Sequence, residues 1–141
     1  IGAYLVVTGE FAMLPIYFSL AVLCWVSGFD IIYALQDEEF DRQNNLNSIP
    51  ALLGKKKALT VSSFLHLLAV VFVALPYLFT DLSWFYLAGV LFFILLLIYQ
   101  HQLVKPDDLS KVDRAFFTTN GIASVVFAVF FLLDAYLRNQ L

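Results

Sequence analysis

Long uncharged stretches alternate along this chain with short polar segments, and the alternation predicts helices that cross a membrane. Phe11 to Phe29 holds nineteen residues without a charge, Ala58 to Thr80 twenty-three, Leu82 to Val104 twenty-three, and Ala115 to Leu133 nineteen. A hydrocarbon core needs about 20 residues of helix, so each stretch is long enough to span it. The first span is expected from about Phe11 to the acidic stretch near Asp37, with Pro15 in its opening turns, where a missing backbone donor costs least. The second runs from Ala58 to about Phe79, ends around Pro76, and turns through TDLS into the third, so the two form an antiparallel hairpin. The third ends near Leu103, and LVKPDDLSKVDR follows as a polar loop in which Asp108 or Ser110 is available as a helix cap. Ala115 to Leu133 is the fourth span.

Between the first two spans, EEFDRQNNLNSIPALLGKKK reads as a long loop, with Asn44, Asn45, Asn47, Pro50 and Gly54 as turn or cap residues. A connection of this length points to a function such as closing a site. The opening IGAYLVVTGE reads as the end of a helix already under way, so a fragment of a longer protein is expected. Ser27 and Gly28 are small enough to let a neighbouring helix approach or to permit a local kink, packing being the plainer reading. Tyr77, Trp84, Tyr86 and Tyr136 fit interfacial anchors.

Composition agrees with a membrane chain: 62% hydrophobic and 13% charged over 141 residues, against about 25% charged in soluble domains. A net charge of −3 without a basic stripe argues against nucleic acid as a partner. Cys24 stands alone, which excludes an intrachain disulfide and reads as a small core residue. Arg42, Lys55, Lys56 and Lys57 follow the first span and Lys105, Lys111 and Arg114 the third, while Arg138 lies in the tail. Basic loops stay on the cytoplasmic side, so both long loops and the acidic stretch are expected there.

That acidic stretch, DIIYALQDEEFD, is the candidate site. Asp30, Tyr33, Asp37 and Asp41 stand at offsets of three, seven and eleven residues, which on an α-helix puts them within a sector about 80° wide. Carboxylates stacked on one face repel one another unless a cation intervenes. Mg²⁺ takes hard oxygen ligands and is held by one or two carboxylates together with substrate phosphates. Zinc would want nitrogen or sulfur, and His66 and His101 lie far apart in sequence. Arg42 and the lysine run, Lys57 included, could neutralise phosphate oxygens that a metal leaves uncovered. A membrane enzyme handling a lipid-tailed diphosphate follows; a transporter using intramembrane carboxylates and a structural membrane subunit are the other classes open. Glu38 and Glu39 point out of the shared sector and read as solvated, and Asp107, Asp108, Asp113 and Asp134 as loop, cap or span-end residues. His66 and His101 read as hydrogen-bonded helix residues, Glu10 as interfacial, and Thr118, Thr119, Asn120 and Gly121 as interhelical bonding and packing.

DIIYALQDEEFDR followed by NSIPALLGKKKAL resembles the second aspartate-rich motif and adjoining loop of the UbiA-type membrane prenyltransferases, in particular the 4-hydroxybenzoate polyprenyltransferase branch. HQLVKPDDLSKVDRAFFTTNGIASV is similar to that branch's later loop and last helix. The resemblance covers residues 1–141 as the C-terminal portion of one transmembrane domain. It implies an all-α, polytopic bundle with four full spans here, part of a nine-helix barrel in a membrane, the bacterial inner membrane in that branch. It implies Mg-dependent transfer of a polyprenyl group from its diphosphate to an aromatic acid, 4-hydroxybenzoate or a menaquinone-pathway acceptor. By the resemblance Asp30 and Asp37 are catalytic, Asp30, Asp37 and Asp41 hold Mg²⁺ through the diphosphate, and Tyr33 lies near the diphosphate. The family's first motif, N-D-x-x-D-x-x-x-D, is not in this chain, and Asn45 and Asn47 stand where relatives often show Gly and His. The isolated chain is therefore expected to be inactive.

Overall fold

The computed structural model describes residues 1–138, and it is 83% helical with no strand among them. A short helix, α1 (Gly2–Thr8), ends at Gly9, whose φ of 70° is the left-handed conformation that lets its N–H reach the Leu5 carbonyl. Helix α2 (Met13–Ala34) passes through a tighter 3₁₀ turn, Leu35–Asp37, into α3 (Glu38–Gln43). Helix α4 (Ile49–Leu53) begins at Ser48, whose hydroxyl accepts from the Ala51 N–H at 3.2 Å. The expected long loop is thus largely helical, because Ser48 and Pro50 start a turn that Gly54, at φ 78°, ends.

Helix α5 (Lys55–Ala74) closes with a 3₁₀ turn at Leu75–Leu78, and α6 (Trp84–Leu103) follows. A π-helical segment, Arg114–Thr119, leads into α7 (Asn120–Arg138). Four continuous helical runs, Met13–Gln43, Lys55–Leu78, Trp84–Leu103 and Arg114–Arg138, are long and apolar enough to cross a membrane. Only 17–33% of their most apolar windows is buried within the chain. Most of that surface therefore faces outward, to lipid or to further protein.

Packing explains which helices meet. Along α5, Ala58, Ser62, His66, Ala69 and Val73 are all buried, a seam of mostly small side chains that lets α2 approach closely. At Gly28 a Cβ would collide with the His66 ring. Ser62 Oγ donates to the Gly28 carbonyl at 2.7 Å, joining the same two helices through the backbone. Helix α7 lies against α6, where Gly89 makes room for Phe130.

Two apolar clusters fill the interior. One, near the Ser83 end, gathers Ala21, Val73, Tyr86, Val90, Phe93 and Ala123 with the partly buried Phe18 and Phe127. The other lies under the acidic stretch and includes Ile31, Ile32, Leu35, Ala58, Val112 and Ala115. Ile31, Ile32 and Leu35 pin the back of the segment whose front carries the aspartates.

Several side chains differ from the sequence expectations. Tyr86 is not an interfacial anchor: it is 0% exposed and donates its hydroxyl to the Val73 carbonyl across the α5–α6 turn. Asp134 is not a solvated span end. It is fully buried and accepts from the Ser83 N–H at 2.8 Å and the Ser83 hydroxyl at 2.5 Å, while Arg138 Nε lies 2.9 Å away. Neither Asp108 nor Ser110 caps a helix; Asp108 instead accepts from the Ser110 N–H at 3.0 Å and its hydroxyl at 2.6 Å, closing a local turn. Among the described residues, Gly121 has no neighbour within reach of a Cβ.

Candidate functional site

The acidic segment forms at the junction of three local geometries. An uninterrupted α-helix would keep Asp30, Tyr33, Asp37 and Asp41 in a narrow sector, but the 3₁₀ turn at Leu35–Asp37 advances the chain faster per residue. At about 120° per residue over that turn the sector widens to roughly 140°. The residues still face away from the core: Asp30, Tyr33 and Asp37 are exposed and Asp41 is half-buried.

Within that broad face the side chains separate. Asp30 borders an open cleft of about 330 Å³ shared with Ser27, Ala34, Ile49, Pro50 and Leu65, so α4 and α5 wall its side of the site. Tyr33 leans the other way, its ring centroid 4.4 Å from Phe116 and 6.0 Å from Phe117. Both phenylalanines belong to the π-helical segment, an irregularity found often at functional sites. Gln100, 0% exposed, supports that segment by donating to the Ala115 carbonyl at 2.8 Å and to Asn120 Oδ1 at 3.2 Å. The apolar run of α6 gives no sign of this role, because it depends on a partner in another helix.

Charge pairing divides the acids. The ion pairs among the described residues are Arg42–Glu38, Lys55–Glu38 at 3.8 Å and Arg138–Asp134, and none includes Asp30, Asp37 or Asp41. Glu38 corrects the sequence expectation, since it is buried and gathers two cations. Arg42 is consequently held by Glu38 although its side chain stays 62% exposed, and it also lines a pocket of about 200 Å³ with Asn45 and Asn47 between α3 and α4. Lys57 is exposed on the first turn of α5.

Among the described residues no group of three or more His, Cys, Asp or Glu side chains comes together to hold a metal ion. The aspartates nevertheless offer hard oxygen donors, unpaired and open. That donor chemistry suits Mg²⁺ carried in on a phosphate, which needs only one or two carboxylates, and does not suit a closed protein cage.

Four membrane-long helices with a carboxylate-bearing edge define a polytopic helical membrane protein, and comparison with known proteins gives the class. The model of the UbiA prenyltransferase family matches residues 1–133, and the chain belongs to that family. It is 30% identical over 112 residues to the 4-hydroxybenzoate octaprenyltransferase of Francisella tularensis subsp. novicida, covering 78% of this chain and 38% of the relative. The enzyme of that name from F. tularensis subsp. mediasiatica is 28% identical over 114 residues, covering 79% and 39%. Digeranylgeranylglyceryl phosphate synthase of Natronomonas pharaonis is 31% identical over 81 residues, covering 57% and 29%. The chain thus spans about two fifths of the length of the Francisella relatives. No solved structure gives a significant match.

Proposed function

We propose that this chain forms one wall of a membrane prenyltransferase that moves a polyprenyl group from its diphosphate to an aromatic acid, 4-hydroxybenzoate, in quinone biosynthesis. The single observation that carries this reading is the unpaired, outward-facing set Asp30, Asp37 and Asp41, backed by a buried apolar face and left out of every ion pair at that end. Carboxylates kept free of internal cations are available to a ligand that brings its own.

In this reading residues 1–141 are the C-terminal portion of the domain, and the opposing carboxylates come from elsewhere in the protein. Asp30, Asp37 and Asp41 would hold Mg²⁺ through the diphosphate, and the ion supplies positive charge for the leaving group when bound. Lys57 and the exposed guanidinium of Arg42 would face phosphate oxygens from the loop side. Tyr33, braced by Phe116 and Phe117, lines the path beside the diphosphate. The allylic C–O bond breaks with its electron pair on the diphosphate, and a ring carbon of the acceptor supplies the pair for the new C–C bond before losing its proton to solvent. Seven of the eight basic residues flank this end, so we orient it toward the cytoplasm of a bacterial inner membrane.

Transport fits less well. Transport sites lie near the midplane on discontinuous helices, whereas the non-α turns beside the acids, Leu35–Asp37 and Arg114–Thr119, sit at the polar end. The test uses the full-length protein in liposomes. Asp30→Ala and Asp37→Ala should each lower prenyl transfer at least about a hundredfold, the scale of losing a charge-stabilising group, with insertion unchanged. Unaltered turnover in both variants would reject the assignment. A panel of 4-hydroxybenzoate, a menaquinone-pathway aromatic acid and a glyceryl phosphate acceptor then decides the acceptor class.

A further inference from the structure

Glu38 opens α3 directly after the turn that carries Asp37, and it is the buried acid of that stretch. Its two carboxylate oxygens take different cations. Oε1 accepts from Arg42 Nη2 within α3, and Oε2 lies 3.8 Å from Lys55 Nζ at the start of α5. Burial of a carboxylate is offset by one paired cation with a hydrogen bond, so the second cation is surplus and the cluster keeps excess positive charge. The neighbouring acids draw no cation among the described residues: Asp37 and Asp41 stand in no ion pair, and Glu39 accepts from the Gln43 amide at 3.3 Å.

Both cations remain open to a ligand. The Arg42 side chain is 62% exposed and the Lys55 side chain 35%. A guanidinium and an ammonium carry several N–H donors each, and Glu38 engages only part of either set. Arg42 also borders the pocket of about 200 Å³ lined by Asn45 and Asn47. Long flexible side chains lose rotamer freedom when a ligand orders them. A buried carboxylate that grips both heads in the free protein has already imposed part of that ordering. Pinned cations with unused donors and surplus positive charge suit an anion with several oxygens, such as a diphosphate.

We propose that Glu38 is a positioning residue, gathering Arg42 and Lys55 into one preorganised cationic pair that takes the diphosphate oxygens left uncovered on the aspartate side. Its own carboxylate touches neither substrate nor metal. The assignment rests on the diphosphate reading above and adds Glu38 and Lys55 to it. Positioning and plain electrostatics predict opposite signs here. Removing a negative charge beside an anion site strengthens anion binding when nothing moves, whereas releasing Arg42 and Lys55 weakens it.

The probe is radiolabelled inorganic pyrophosphate with excess Mg²⁺, bound at equilibrium to the full-length protein in phosphatidylcholine nanodiscs. Glu38→Gln should weaken binding about tenfold, the scale for ordering one or two freed side chains, although it removes a negative charge. Lys55→Gln and Lys56→Gln delete the same charge one residue apart, and Lys56 is exposed and in no ion pair among the described residues. Lys55→Gln should weaken binding about tenfold, as for one charge-assisted hydrogen bond, and Lys56→Gln less than about twofold, as for a solvent-screened charge. In a Lys55→Gln background the further loss from Glu38→Gln should be smaller than in the parent. In turnover, Glu38→Gln should raise the KM for the prenyl diphosphate and leave that for the acceptor unchanged, a split that a merely looser fold would not give. Should Glu38→Gln fail to fold, the two lysine variants still decide. Asp37→Asn in the same assay tests the aspartates separately. Loss of binding there, with none in Glu38→Gln or Lys55→Gln, would overturn this proposal alone, and the reverse pattern would remove the aspartates and leave the cationic pair. Equal or tighter binding by Glu38→Gln, or equal effects of the two lysine variants, would overturn the proposal. A parent protein that does not bind pyrophosphate would overturn both readings.

Discussion

Asp134 and Asp30 both lie toward the end of a membrane-long helix, and the chain treats them in opposite ways. Asp134 is 0% exposed and surrounded by donors: the Ser83 N–H, the Ser83 hydroxyl and the Arg138 side chain. Asp30 is exposed beside an open cleft and takes part in no ion pair among the described residues. A carboxylate spent on structure is recognised by the donors and the cation that converge on it. Asp30, proposed above to face a ligand, has no such partners on a face that the helix otherwise anchors well.

The sharpest way to break this contrast is to remove the buried carboxylate. Asp134→Ala leaves the Ser83 donors and Arg138 facing a void, and breaking a buried charged cluster costs about 3–5 kcal/mol. Folded yield in detergent and the unfolding midpoint should both fall sharply. A variant as stable as the parent would mean that the α6–α7 end is held by apolar packing alone.

Next in size is the seam that fixes α2 against α5. Gly28→Val forces a side chain into the space of the His66 ring, and overpacking of this kind costs about 1–3 kcal/mol. The Ser62 bond to the Gly28 carbonyl would be strained by the same shift. Thermal unfolding should show the loss. An unchanged midpoint would mean that the two helices have slack at this turn and that Asp30 is not held in fixed register.

Asp30→Asn and Asp37→Asn should move stability by less than about 0.5 kcal/mol, the range for exposed positions without partners. Set beside Asp134→Ala, that difference separates a ligand-facing acid from a structural one. Destabilisation by Asp30→Asn equal to that of Asp134→Ala would erase the comparison and assign Asp30 to the fold.

Much of this was legible in the chain itself. The four spans follow from charge-free runs; α2 ends at Ala34 and its 3₁₀ turn at Asp37, where the polar segment begins, and α6 ends at Leu103 just before the next one. The outward-facing aspartates follow from helical periodicity, because apolar Ile31, Ile32 and Leu35 occupy the opposite face. What escaped depends on partners from other helices. Ser83 reaches Asp134 across 51 positions and His66 reaches His101 across 35, distances at which local periodicity carries no information. Glu38 escaped for a related reason: a surface helix turn becomes a buried ion-pair centre only once Lys55 arrives from α5. The 3₁₀ and π turns changed angular register without any Pro or Gly inside them to announce it.

The smallest expected effect concerns a third kind of carboxylate, exposed yet satisfied by its own turn. Ser110 holds Asp108 below the ordinary Asp value of about 3.9, first through its hydroxyl and then through its backbone N–H, with Lys111 and Lys105 adding positive charge nearby. A depressed folded value means that the turn's contribution is complete above that ordinary pKa and is lost as pH falls through the lower folded one. An NMR titration of the Ser110 amide should therefore show its midpoint below that of an unperturbed aspartate. Ser110→Ala should raise that midpoint more than Lys105→Ala does, since the hydroxyl is the larger cause and the lysine is screened by solvent. Any loss of stability from Ser110→Ala should be seen at neutral pH, where the contribution is complete, and should vanish below the folded pKa, where the parent has already lost it. A Ser110→Ala titration identical to the parent's would show that local bonding does not saturate Asp108, and Asp108 would then join Asp30 among the open acids.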